Sequence, residues 1–261
     1  MKHTLKVSII LLVLFLLSHL IGLFIVQEYS SSELPYGIER PELEESTSYF
    51  PLLIAIFIAT GIALLLIRFK AMKIWKIWFA FATVYLLSIA FSAFVGSLVA
   101  FAIALVLGIL KFYKPNPILH NFTELFVYSG IAAIFSPVMS LMAVSILLIL
   151  ISIYDAIAVW KTKHMVKMAK FQAKTAVFPG LLVPYGGKKT AVLGGGDIGF
   201  TLLFSGVVLL KMGFLEAIIC SVLTSASLFL LLYYGKKNRF YPAMPFLSVG
   251  CFLGLLISFL L

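Results

Sequence analysis

Gly194-Gly195-Gly196-Asp197-Ile198-Gly199-Phe200 opens an apolar run that continues to Leu210. A carboxylate at the mouth of such a run is costly if the run enters a bilayer, and by default it marks a functional site. One other aspartate exists in the chain, Asp155, and it too lies inside an apolar run. What the pair can do depends on the class of protein that carries it.

With 62% hydrophobic residues, 11% charged residues and a net charge of +10 over 261 positions, and a mean hydropathy of +1.13, the composition excludes a soluble domain. The apolar runs are long enough to cross a ~30 Å hydrocarbon layer as helices of about 20 residues. No alternating strand pattern suggests an outer-membrane barrel. The basic residues are dispersed over connections, which fits membrane topology and not a nucleic-acid surface. Cys220 and Cys251 lie within apolar runs with no disulfide or metal spacing, and read as packing residues.

The expected fold is an all-α polytopic membrane protein of nine transmembrane helices, a single membrane-embedded domain over 1–261. Its spans fall near 5–26, 49–67, 74–91, 93–110, 122–137, 140–160, 191–210, 214–234 and 242–261. The first follows Lys2 and Lys6 but is too long for a signal peptide and lacks a small-residue cleavage site, so it reads as retained. An acidic loop, 27–48, carries six glutamates against Arg40 alone, and the connection 161–190 is the longest on the opposite side. If the N-terminus is cytoplasmic, all of the 20 basic residues except Arg40 and Lys211 fall in cytoplasmic segments. That asymmetry places the protein in the cell membrane with the C-terminus outside and the acidic loop extracytoplasmic.

Within the long connection, Lys161–Lys174 spaces its lysines at helical steps, consistent with an amphipathic helix at the membrane surface. Val177–Lys189, with two prolines and three glycines, reads as irregular backbone. Asp155 lies six residues before Lys161, ~9 Å deep at helical rise. Asp197 lies eight residues after Lys189, ~12 Å deep or less. Both carboxylates therefore sit at one level in the cytoplasmic half. Pro242-Ala243-Met244-Pro245 opens the last span at the same level, with prolines that oppose regular helix and expose backbone groups; a plain proline-marked helix start is the bland alternative.

Two carboxylates held close in a low-dielectric site share a proton, so one can take a proton from water while the other polarises a carbonyl, as in aspartic proteases. No metal or other cofactor is needed. His3, His19, His120 and His164 form no zinc-protease pair, no G-x-S-x-G nucleophile motif occurs, and the glycine run lacks the ending of a phosphate loop. Alternatives remain: structural carboxylates, a proton relay in a transporter, or an inactive membrane scaffold. Glu124 and Glu216, near span ends, read as interfacial. The glycines before Asp197 either allow close helix packing or free the backbone to leave the helix.

Taken in order, Tyr154-Asp155, Gly194-Gly195-Gly196-Asp197 and Pro242-Ala243-Met244 resemble the Y-D, G-x-G-D and P-A-L motifs of the presenilin and signal peptide peptidase family. The run Tyr154–Met165 is most similar to archaeal presenilin homologues. The resemblance implies intramembrane aspartyl proteolysis, with Asp155 and Asp197 catalytic and Tyr154, Gly194, Gly195, Gly196, Pro242, Ala243 and Met244 shaping the substrate site. It departs from the family pattern at Met244, where leucine is usual, a near volume-conserving change. The short connection between the catalytic spans implies an uncut chain, and the lysine asymmetry matches the presenilin branch; signal peptide peptidases are inverted. Expected partners are single-span membrane substrates and lipids. Self-association into a homo-oligomer is allowed, whereas nucleic acid and obligate accessory subunits are not expected. Prepilin and preflagellin peptidases share G-x-G-D but lack the proline motif, which leaves them as the rival within proteases.

Overall fold

The structure, a computed structural model, describes residues 4–162, 178–187, 189–236 and 241–261. Nine long α-helices run through the described residues: α1 (Leu5–Glu28), α2 (Tyr49–Arg68), α3 (Met72–Ser92), α4 (Ser97–Tyr113), α5 (Pro117–Phe135), α6 (Leu141–Ala156), α7 (Gly195–Lys211), α8 (Phe214–Tyr234) and α9 (Met244–Leu260). Six of them, α1, α2, α3, α5, α6 and α8, are long and apolar enough to cross a membrane. The helices α4, α7 and α9 have 17 residues each, about 26 Å of helix.

Local chemistry sets the boundaries. Thr4 caps α1, accepting from the Val7 amide, and Ser140 caps α6, accepting from Ala143 at 3.0 Å. Asn116 caps α5, accepting from Ile118 at 2.9 Å, and Pro117 occupies the first helical position, where its missing N–H is no loss. This start explains why α5 begins earlier than its apolar run at 122. Likewise α4 begins at Ser97, later than residue 93, because Gly96 breaks the chain with extended backbone. At its far end α6 loosens into a π-helical turn, Ile157–Lys161.

Helix α7 is the centre of the molecule. It packs against α1, α5, α6, α8 and α9, and most of its residues from Ile198 to Leu209 are buried. A helix apolar on all sides belongs in such a position. By contrast α2 is almost wholly exposed, touching mainly α6 and α3. Helices α8 and α9 meet through Gly250 and Gly254, a small-x-x-x-small pair; a Cβ on Gly254 would lie 2.5 Å from the Cα of Cys220. Cys220 and Cys251 are buried and free in this contact.

The connection before α7 departs from expectation. In place of irregular backbone over 177–189 and a span starting at Ala191, two strands form, β1 (Gly180–Tyr185) and β2 (Lys189–Gly194), paired antiparallel from Gly180↔Gly194 to Tyr185↔Lys189. Their residues alternate. Leu181 and Val183 face the core beside Leu193 and Ala191, while Val192 and Pro184 face outward. Gly186 and Gly187, at φ 57° and 79°, supply the left-handed backbone of the tight turn. The hairpin lies against α5, α1 and α7. Asp197 thus follows a strand, and its depth does not scale with helical rise from Lys189. The expected amphipathic helix from Lys161 falls, from Lys163 on, outside the described residues.

Candidate active site

Asp155 occupies the last turn of α6 and is buried, 8% exposed. Its Oδ2 accepts the Met244 amide at 3.1 Å. The first turn of a helix leaves its amides unpaired. In α9 the Phe246 and Leu247 amides turn back to the Ala243 carbonyl, and Pro245 has no N–H, so the amides left for Asp155 are those at the very start of the helix, Met244 and, beside it, Ala243. The proline segment is therefore not the irregular backbone expected of it. Met244 begins regular helix and Pro245 sits in the first turn, where proline is tolerated. One turn further along, Ser152 and Ser248 hydroxyls meet at 2.6 Å and tie α6 to α9 a second time. Pro242 is buried and Ala243 half-buried beside Asp155.

Asp197 is the third residue of α7, in the first turn, and is half-buried. An acidic side chain there is favoured by the helix dipole and can reach back towards the cap. None of the three preceding glycines has positive φ, and two of them, Gly194 and Gly195, act by close approach. A Cβ on Gly194 would lie 3.1 Å from Asp197 Oδ2, and one on Gly195 would collide with the Tyr128 hydroxyl. One on Gly196 would meet only the Phe200 ring at 3.6 Å, an ordinary contact. Below Asp197, Thr201 donates to its carbonyl at 2.7 Å and is held by His19 Nε2 at 3.1 Å, while His19 Nδ1 contacts the Ser221 hydroxyl at 3.1 Å. His19 is wholly buried and links α1, α7 and α8 one turn from Asp197.

The structure brings Asp155 together with the proline motif and Asp197 together with its glycines, on helices α6 and α7 that pack against each other. Tyr154 instead packs its ring edge-on against Phe57 of α2, centroids 5.3 Å apart. Glu124, expected at the interface, is turned into the protein. It is wholly buried, paired to Lys111 at 2.5 Å, and also accepts from the Tyr128 hydroxyl and the Gly180 amide. Lys111 is accordingly a buried partner as well as a flanking charge. Glu216, half-buried in the first turn of α8, stays near a helix end. Beside Glu124, His120 Nε2 donates to the Gly180 carbonyl at 2.8 Å, and Asn121 holds both the amide (2.8 Å) and the carbonyl (2.7 Å) of Leu182. Among the described residues no three His, Cys, Asp or Glu side chains gather as a metal would require.

Nine apolar helices, with aspartates on two adjacent ones and a hairpin leading into the second, describe a polytopic membrane protein with carboxylates at a helix-bounded site. The family model for signal-peptide peptidase, presenilin aspartyl protease matches residues 12–186, well over half the chain, including Asp155 and ending before Asp197. Among solved structures, a presenilin family intramembrane aspartate protease in a C222 crystal superposes with a TM-score of 0.69 at 19% identity, over 97% of this chain and 98% of its own. A presenilin family intramembrane aspartate protease in a P2 crystal gives 0.67 at 20% identity, over 96% of each chain. At these identities the likeness speaks for the fold. No curated protein matched the chain significantly. The chain belongs to the signal-peptide peptidase, presenilin aspartyl protease family. It has the presenilin-family fold and is a membrane-embedded, multi-pass intramembrane aspartyl protease acting on membrane proteins.

Proposed function

We propose that Asp155 and Asp197 are the catalytic pair, acting on single-span substrates within one membrane-embedded domain that comprises the whole chain. The observation that carries this is the seat of Asp155 on the first amide of α9. It joins two of the motifs directly, while Gly194 leaves room for the carboxylate of the third. Seated on the backbone at the start of α9, the Asp155 carboxylate is held in place to meet a water. One carboxylate takes a proton from that water as it attacks; the other, protonated, donates to the carbonyl oxygen. Met244 and Ala243 position Asp155, and Gly194, Gly195 and Gly196 line the approach to Asp197.

A substrate helix must unwind before water can reach a peptide bond, which strands its backbone groups in hydrocarbon. Strand β2 offers replacements. Asn121 takes both backbone groups of Leu182, so the Leu182↔Val192 pair is not hydrogen-bonded across the hairpin. By the alternation of antiparallel pairs, the backbone groups of Val192 and Thr190 then point away from β1. Among the described residues nothing takes them. An unwound substrate segment added at this edge is led along β2 towards Asp197.

The basic-residue asymmetry supports a cytoplasmic N-terminus and an extracytoplasmic C-terminus, with all nine helices crossing and the hairpin completing the path of the short α7. The test is cleavage of a single-span reporter by the purified chain. Asp155→Asn and Asp197→Asn should each abolish it, and activity retained in either sinks the assignment.

A further inference from the structure

Proteolysis by the two aspartates leaves one buried carboxylate without a task. Glu124 is 0% exposed and its partner Lys111 only 7%. Removing both charges from water costs about what their attraction returns, so the pair is weak evidence of a stabilising role. What it provides is an acceptor fixed from several sides. Oε1 takes Lys111 Nζ at 2.5 Å; Oε2 takes the Tyr128 hydroxyl and, at 2.9 Å, the Gly180 amide.

Both Oε2 donors lead to the residues before Asp197. Gly180 pairs with Gly194 across the hairpin, and the Gly195 amide closes on the Pro179 carbonyl at 3.0 Å. The Tyr128 hydroxyl lies so close to Gly195 that a Cβ there would collide with it. One route through β1 and one through Tyr128 thus join a single carboxylate to Gly194 and Gly195.

We propose that Glu124, its charge balanced by Lys111, is a positioning residue that sets the place of Asp197 through Gly180 and Tyr128. This rests on Asp197 being catalytic. A carboxylate that only filled the core would be replaceable by any neutral pair of similar size. One that positions Asp197 would not, because the Gly180 and Tyr128 donors would lose their acceptor.

The test uses the purified full-length chain in detergent and a synthetic single-span peptide. Wild-type cleavage, lost in Asp197→Asn, secures the underlying assignment; an inactive wild type or an active Asp197→Asn overturns that assignment instead. Two charge-balanced double variants are then compared. Lys111→Met/Glu124→Gln keeps an amide oxygen as acceptor, and kcat should stay within about threefold of wild type. Lys111→Met/Glu124→Leu removes the acceptor. Its kcat should fall about 100-fold, the effect of a ~1 Å misplacement, with KM little changed. Affinity for an aspartyl transition-state analogue should fall in parallel. Equal kcat in the two doubles, or a loss confined to KM, overturns the proposal. If the leucine double fails to fold, Tyr128→Phe decides. It removes only the hydroxyl between Glu124 and Gly195, and kcat should fall about tenfold at constant KM. A wild-type kcat in that variant overturns the proposal.

Discussion

Asn121→Ala removes the two bonds by which α5 holds Leu182 on the outer edge of β1, at 2.7 and 2.8 Å to its carbonyl and amide. Each such bond is worth about 1 kcal/mol net. Asn121 is half-buried, so water partly replaces it and the smaller, net figure applies in place of the full penalty for an orphaned group. Two bonds give about 2 kcal/mol, or roughly 30-fold in the opening equilibrium of the strand edge. Hydrogen exchange of the Leu182 amide in detergent reads this directly, because exchange there follows local opening. Gly180 keeps its bonds to Glu124 and His120, so its exchange should change far less than that of Leu182. Asn121→Asp keeps an acceptor for the amide but loses the donor to the carbonyl, and should fall between wild type and alanine. Unchanged Leu182 exchange in Asn121→Ala would refute the claim that Asn121 holds this edge. Equal acceleration across both strands would mean that the hairpin opens only as a unit.

Three further outcomes follow from the packing. Gly195→Ala should lower both Tm and kcat, since its Cβ meets Tyr128 at an overpacking cost of about 1–3 kcal/mol. Gly196→Ala, in ordinary contact with Phe200, should be tolerated, and the reverse order would refute the close-approach role. Gly254→Ala pushes on the backbone of α8 at Cys220 and should lower Tm by about 5 °C; Gly61→Ala, with nothing within 4 Å, should not. The Tyr29 hydroxyl, which donates to the Ile89 carbonyl at 2.9 Å, is pushed up to about 12 by burial, helped by Tyr36 and Glu28. The neutral phenol is favoured by folding, so this contribution is present below pH ~10 and lost as pH rises towards 12. Thermal unfolding from pH 9.5 to 11.5 should therefore fall more steeply in wild type than in Tyr29→Phe, about a pH span that brackets the shift. Parallel curves would argue against it.

Where the sequence and the structure part company, the physics differs between the two cases. A segment that crosses a membrane must be apolar over a length set by the bilayer, so the helices were legible as runs. Asp155, Asp197 and the proline segment stood out because carboxylates and proline breaks are rare inside such runs. The hairpin was also legible in principle: Gly180–Tyr185 and Lys189–Gly194 alternate about a Gly-Gly turn, a hairpin signal. Its prolines and glycines read as breakers in the sequence, yet Pro184 is admissible because its missing N–H faces the edge.

The amino-acid sequence alone determined the membrane class, the order of the helices and which two carboxylates are unusual, because each rests on local composition and the cost of charge in hydrocarbon. Only the tertiary structure decided that Asp155 seats on the α9 amide and that Glu124 is buried against the Gly180 amide of the hairpin. Those outcomes depend on partners distant along the chain, 89 residues for Asp155 and Met244 and 56 for Glu124 and Gly180. A buried charge is tolerated or not according to what meets it, and no window of sequence contains both sides of that contact.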